Sequence, residues 1–169
     1  FYQLNNYVHS SASNGLLNFD VDTCNMVRAG IIMYGYPSSD TTLDKIDIKP
    51  IAKLMSKINY IKVIDKDESV SYCRRYTSKD RMTVATVGIG YADGVRRSLS
   101  NKGYVVIRGI KCPIIGSVCM DSFMVDVSNV NDVDVGDDVY IWDNELIKVE
   151  DIAKIYKTIN YEVLSGIGE

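Results

Sequence analysis

Histidine is nearly absent from this sequence: of 169 residues only His9 carries an imidazole. A histidine-based zinc site therefore has too few ligands, and a Ser/His/Asp triad would have to be built on His9 alone. The four cysteines, Cys24, Cys73, Cys112 and Cys119, form no Cys-x-x-Cys pair. Zinc and thioredoxin-type chemistry gain no support from that spacing, and a reducing compartment is the simpler reading. A basic footprint is missing too: 19 Lys and Arg against 22 Asp and Glu give a net charge of -3, which argues against nucleic acid as a partner. No apolar run approaches the roughly 18 residues that a membrane-spanning helix needs. The opening residues, Phe1-Tyr2-Gln3-Leu4-Asn5-Asn6, show neither the basic stretch nor the apolar core of a signal peptide. They also lack an initiator Met, so a segment of a longer polypeptide is expected. With histidine scarce, acid/base chemistry falls to tyrosine, lysine, cysteine or the carboxylates.

What is present is ordinary for a globular protein, with room for one domain or for one domain and part of another. Residues 27–36 form an apolar run holding a single charge, Arg28, and this pattern predicts a strand buried on both faces. A lone arginine there needs a partner or a ligand. Residues 38–42 read as a surface loop, and Pro50 marks a boundary. Strands are then expected over 53–64, 82–91, 104–108, 112–115, 120–127 and 139–142. Gly109 suggests a hairpin, and residues 129–138 form an Asp-rich loop. Late in the chain, Val149, Ile152, Ala153, Tyr156 and Ile159 or Asn160 recur at helical spacing, with Glu150 and Asp151 at the favourable end of the dipole. The fold expected is mainly β, with one late helix.

Taken singly, the conspicuous short segments read as structure. Gly88-Ile89-Gly90-Tyr91-Ala92-Asp93-Gly94 lacks the Gly-x-Gly-x-x-Gly spacing of a dinucleotide loop, and fits a strand closing in an Asp-Gly turn. Tyr72, in Ser71-Tyr72-Cys73, reads as a packing residue of a β-rich segment, Met120 as core, and His9 as a hydrogen-bonded structural histidine.

Their order and spacing together resemble the alanine racemase family. Val8-His9-Ser10-Ser11-Ala12-Ser13 and Asn25-Met26-Val27-Arg28-Ala29-Gly30-Ile31-Ile32-Met33-Tyr34-Gly35 look like the last strands of that family's barrel. Val70-Ser71-Tyr72, Gly90-Tyr91-Ala92-Asp93-Gly94, Gly116-Ser117-Val118-Cys119-Met120-Asp121 and Ile159-Asn160-Tyr161-Glu162-Val163 follow in the family's order. The resemblance covers nearly the whole chain. It implies that residues 1–48 are the remnant of a truncated (β/α)8 barrel and that 49–169 are the carboxy-terminal β domain. It implies a homodimer in which each active site is shared between chains, with pyridoxal 5'-phosphate as cofactor and a small amino acid as substrate.

Residue by residue, the resemblance implies that Arg28 faces the pyridine nitrogen, with His9 behind it. Ser13, the backbone of Gly30 and Ile31, and Tyr161 hold the phosphate. Tyr72 is one of two catalytic bases, Met120 offers its N–H to the substrate carboxylate, Tyr91 lines the entrance, and Asp121 stands behind them. No metal is implied. The physics fits these roles, because racemisation needs a base on one side of Cα and an acid on the other. A tyrosine hydroxyl ordinarily ionises near pH 10, so such a base needs positive charge nearby. None of the lysines matches the family's Schiff-base motif, so the chain alone is expected to be inactive. Ala12 stands where the family often has Asn, and Ala29 where Pro is frequent.

Interconversion of L- and D-alanine, which supplies the cell wall, is the activity implied first. A serine racemase of the vancomycin-resistance type shares the motifs, and Gly15-Leu16-Leu17-Asn18 resembles that branch, whereas Tyr161 favours alanine. A catalytically inert β module with a structural or dimerising role is the reading from another class. The location implied is cytoplasmic, or the cytoplasmic face of a membrane for the serine enzyme.

Overall fold

The computed structural model describes residues 6–19, 23–37 and 47–168. The chain divides into two compact units, Phe1–Ala52 and Lys53–Glu169. The loop expected at 38–42 lies outside the described residues.

In the first unit a short helix, α1 (Ser13–Asn18), follows an isolated parallel bridge between Ala12 and Arg28. The strand expected over 27–36 is not formed. The chain leaves extended geometry at Gly30 (φ -125°, ψ -103°) and winds into a 3-10 turn, Ile31–Tyr34. The cause is a contact that local periodicity does not register: the Gly30 N–H donates at 2.9 Å to the Oγ of Ser13, the first residue of α1, 17 residues away. Ile31 and Tyr36 are buried, while Val27, Met33 and Tyr34 are exposed, so the run is not buried on both faces.

The second unit holds eight strands: β1 (Leu54–Ile64), β2 (Ser69–Val70), β3 (Tyr76–Thr77), β4 (Met82–Val87), β5 (Tyr104–Ile107), β6 (Ile110–Ile115), β7 (Phe123–Asp126) and β8 (Asp138–Trp142). Six of them close an antiparallel barrel in the order β1-β4-β7-β6-β5-β8, and β2 and β3 form a separate hairpin. Closure depends on β1, which pairs with β8 through Leu54 to Lys57 and with β4 through Ile58 to Ile64. Its register breaks at Leu54/Met55 and at Ile58/Tyr60, and such bulges let one strand turn a barrel corner. Alternation then sends Ile58, Val87, Ile107, Ile114, Phe123 and Ile141 into the core. Burial also pushes the Cys112 thiol up to about 11, so this cysteine is inert core.

The hairpin expected at Gly109 is present. Arg108 and Gly109 both have positive φ (49° and 77°), as a two-residue turn matching the strand twist requires. Arg108 then forms a bidentate pair with Asp137 in the Asp-rich loop. Two strands are shorter than expected. The run at 82–91 stops at Val87 and the run at 120–127 starts only at Phe123. Between them the Cys119 and Met120 carbonyls accept N–H groups from Tyr91 and Ala92, which lie in a turn.

The late helical pattern resolves into two helices, α2 (Val149–Tyr156) and α3 (Asn160–Ser165). The Lys148 N–H donates to Asp151 at the start of α2, and Val149, Ile152 and Ala153 form its buried face. Lys157 in the left-handed region (φ 56°) ends the helix, with the Thr158 N–H returning to the Ala153 carbonyl.

Two stability predictions follow from these contacts. Ile141 is fully buried, so Ile141→Ala should destabilise the chain by about 2–5 kcal/mol, read from the urea midpoint. Asp143 is buried, which alone would raise its carboxyl. Its Oδ1 nonetheless accepts the N–H groups of Glu145, Leu146 and Ile147 at 3.1, 2.9 and 2.9 Å, and these donors hold the group below the ordinary carboxylate range. With the folded value depressed, the stabilisation is present above the unfolded value and is lost as pH falls through the folded one. Asp143→Ala should cost about 1–3 kcal/mol at neutral pH. The gap to the parent should narrow below about pH 4, measured by urea unfolding at both pH values.

Candidate active site

Tyr72 lies on the turn joining β2 to β3, in a short 3-10 segment, Tyr72–Arg74. Its side chain is 75% exposed, so it is not the packing residue that its β-rich surroundings suggest. The backbone around it is unusual: Ser71, Cys73 and Arg74 all have positive φ, at 70°, 58° and 49°. Non-glycine residues enter that region at a cost, and only surroundings that over-determine the turn keep them there.

The surroundings are the segment leaving β6. Ser71 Oγ accepts the Ser117 N–H at 2.8 Å and donates to the Ser117 carbonyl at 3.3 Å. Approach this close requires glycine at 116, where φ is 72° and an added Cβ would lie 2.4 Å from the Ser71 Cβ. The Gly116 N–H donates to Asn101 Oδ1 at 2.6 Å, and Asn101 Nδ2 donates to the Arg75 carbonyl at 3.1 Å. Next along, the Val118 N–H donates to Ser100 Oγ at 2.9 Å.

On its other side the same segment meets the turn after β4. The N–H groups of Tyr91 and Ala92 donate to the carbonyls of Cys119 and Met120, both at 2.9 Å. A Cβ on residue 90 would strike those two carbonyl oxygens at 2.4 Å, so Gly90 is what admits the contact. The outcome is a cleft of about 430 Å³ lined by Tyr72, Tyr91, Arg97, Ser117, Val118, Cys119, Met120 and Asp121. Four residues singled out in the sequence, Tyr72, Tyr91, Met120 and Asp121, therefore share one cleft. Among the described residues the Met120 N–H has no acceptor, and Arg97 is the only cation in the lining. A phenol, an unpaired N–H and a guanidinium around one small cleft suit a compact anionic molecule and a proton transfer.

Tyr161, at the second residue of α3, is exposed. The next residue, Glu162, accepts from Thr158 and pairs with Arg96, and these contacts hold its carboxyl below the ordinary range. Arg96 also lies over the Tyr156 ring at 5.1 Å, and its N–H donates to Tyr156 Oη at 2.8 Å. Burial raises the Tyr156 hydroxyl against the opposing pull of Arg96. Tyr156 Oη also donates to the Gly94 carbonyl at 3.5 Å, which ties α2 to the end of the turn that carries Tyr91.

Within the first unit, Ser13 is buried and meets Gly30, as already described. The Ile31 N–H makes no hydrogen bond among the described residues. Arg28 donates from its backbone to Ser11 and from Nη2 to the Ser10 carbonyl at 3.4 Å, while His9 is exposed. Sequence reasoning did not single out Asn101, Ser100 or Arg96, because each acts through partners distant along the chain and none lies in a recognisable motif. Among the described residues there is no cluster of His, Cys, Asp and Glu fit to hold a metal ion, and no helix is long and apolar enough to cross a membrane.

Residues 51–169 match the family model described as "Alanine racemase, C-terminal domain". The alanine racemase of Geobacter sulfurreducens is 41% identical over 167 residues, covering 96% of this chain and 44% of its own length. A solved alanine racemase from Clostridium difficile 630 is 40% identical, with a TM-score of 0.87 over 96% of this chain and 43% of its own. Another, from Bartonella henselae with covalently bound pyridoxal phosphate, is 30% identical, with a TM-score of 0.82 over 96% of this chain and 45% of its own. The chain thus spans less than half the length of the curated relatives it matches. On the family match and this degree of identity, the chain belongs to the alanine racemase family and carries that family's carboxy-terminal domain.

Proposed function

We propose that this chain is the carboxy-terminal portion of a pyridoxal 5'-phosphate-dependent alanine racemase, in which Tyr72 exchanges a proton with the substrate Cα. The observation that carries this reading is the placement of Tyr72: a tyrosine 75% exposed, on a turn of positive-φ residues, sharing a cleft with a Met120 N–H that has no acceptor among the described residues. Strain of this kind persists at functional sites when neighbouring structure enforces it.

The residues present fit the cofactor. Ser13 is a buried hydroxyl beside the Ile31 N–H, which has no acceptor among the described residues, a donor set suited to a phosphate. Ser13, Gly30 and Ile31 would hold that phosphate, and Arg28, with His9 behind it, would face the ring nitrogen. A guanidinium keeps its proton, so Arg28 would leave that nitrogen unprotonated. When bound, the cofactor acidifies the substrate Cα–H by drawing electron density into its ring. The Met120 N–H would orient the substrate carboxylate, Tyr91 would narrow the entrance, and Asp121 would support the Met120 turn. Tyr72 would hold or accept the proton on one face of Cα. The opposite face falls to a lysine of the barrel, since no lysine here lines the Tyr72 cleft among the described residues. The active enzyme would be a homodimer, with Tyr72 of one chain serving the barrel of the other. Alanine is favoured over serine as substrate because Tyr161 is present and the relatives compared are alanine racemases.

In the racemase containing this chain, Tyr72→Phe should lower kcat by roughly 10²–10⁴-fold while the visible absorbance of the bound cofactor persists. Equal rates of D-alanine formation by variant and parent would remove Tyr72 from the mechanism and leave the inert-module reading.

A further inference from the structure

We propose that Asn101 is a positioning residue for Tyr72, fixing the turn that carries the phenol to the loop that carries the Met120 N–H; this role rests on the reading of Tyr72 given above. The two arms of the cleft are far apart in sequence, and β2 and β3 offer the Tyr72 turn only two residues each for anchorage. Asn101 bridges the gap with both ends of one planar carboxamide. Its Oδ1 accepts the Gly116 N–H on one arm and its Nδ2 donates to the Arg75 carbonyl on the other. The carboxamide sets a donor and an acceptor on separate atoms of one short planar group, so each can serve a different arm; aspartate would keep the acceptor and lose the donor. The backbone at Asn101 lies in the left-handed region (φ 54°), which asparagine tolerates better than most residues.

Asn101 is exposed and belongs to no barrel strand, so the two bonds are not needed to build the core. What they set is the separation between base and carboxylate donor. The Ser71–Ser117 pair is a second tie between the same arms, so losing Asn101 should loosen the turn rather than free it.

The test is Asn101→Gly in the racemase containing this chain, since glycine keeps the positive φ without strain and removes both bonds. Racemisation is followed in heavy water together with solvent exchange of the Cα hydrogen, starting from each enantiomer separately. Expected is a fall in kcat of roughly 10–100-fold, with KM and melting temperature near those of the parent. One enantiomer should go on exchanging its Cα hydrogen while its conversion lags, because only the Tyr72 side is misplaced. Asn101→Asp, with one bond left, should fall between. Unchanged kcat and unchanged exchange in Asn101→Gly, where Tyr72→Phe lowers kcat as expected above, would overturn the role of Asn101 alone. An equal loss of exchange from both enantiomers, with a lowered melting temperature, would also overturn it, by showing a merely structural contribution. If Tyr72→Phe itself racemises normally, the underlying reading of Tyr72 fails first.

Discussion

The contact between Gly116 and Ser71 is the constraint on which the cleft depends. At residue 116 the chain leaves β6 with positive φ, and no side chain larger than hydrogen fits against the Ser71 Cβ. That approach lets Ser71 Oγ reach both the N–H and the carbonyl of Ser117. The Tyr72 turn, too short to hold its own left-handed residues, thereby borrows rigidity from the barrel through β6. A comparable close approach at Gly90 fixes the Tyr91 turn to the carbonyls of Cys119 and Met120. Residues 116–120 thus serve as a rail on which both turns are mounted.

The barrel gives that rail its stiffness. It has no free edge strand among its six members, because β1 bends through two register breaks to pair with both neighbours. Loops carrying chemistry are generally the mobile parts of a protein, and a rigid scaffold is what makes them accurate. Here the scaffold reaches the loops through side-chain bonds from Ser71, Ser100 and Asn101 rather than through strand pairing. The tyrosine is left exposed beside the cleft that it lines.

Much of the architecture was legible in the sequence. β5, β6 and β8 announce themselves by β-branched residues, and Gly109 marks the hairpin, because those signals are local. Val149, Ile152, Ala153 and Tyr156 reveal α2 for the same reason. The failures share one cause, which is that distant contacts decided the backbone. Residues 27–36 read as a strand, yet Ser13 captures the Gly30 N–H from 17 residues away and the chain turns. Ser71 and Ser117, 46 residues apart, make Tyr72 an exposed turn residue where local pattern suggests packing. Of the cleft, Tyr72, Tyr91, Met120 and Asp121 could be named from ordered motifs matching a family, whereas Asn101 and Arg96 carry no such motif.

The central claim is that this chain supplies the carboxy-terminal machinery of an alanine racemase. A chimera tests it most directly: the matching 167-residue region of the Geobacter sulfurreducens alanine racemase, 41% identical to this chain, is replaced by this sequence. D-alanine formation from L-alanine is then measured with and without Tyr72→Phe. The expected result is a cofactor-loaded chimera that racemises alanine and loses that activity on removal of the phenol. A folded, cofactor-loaded chimera that forms no D-alanine, or one indifferent to Tyr72→Phe, would contradict it.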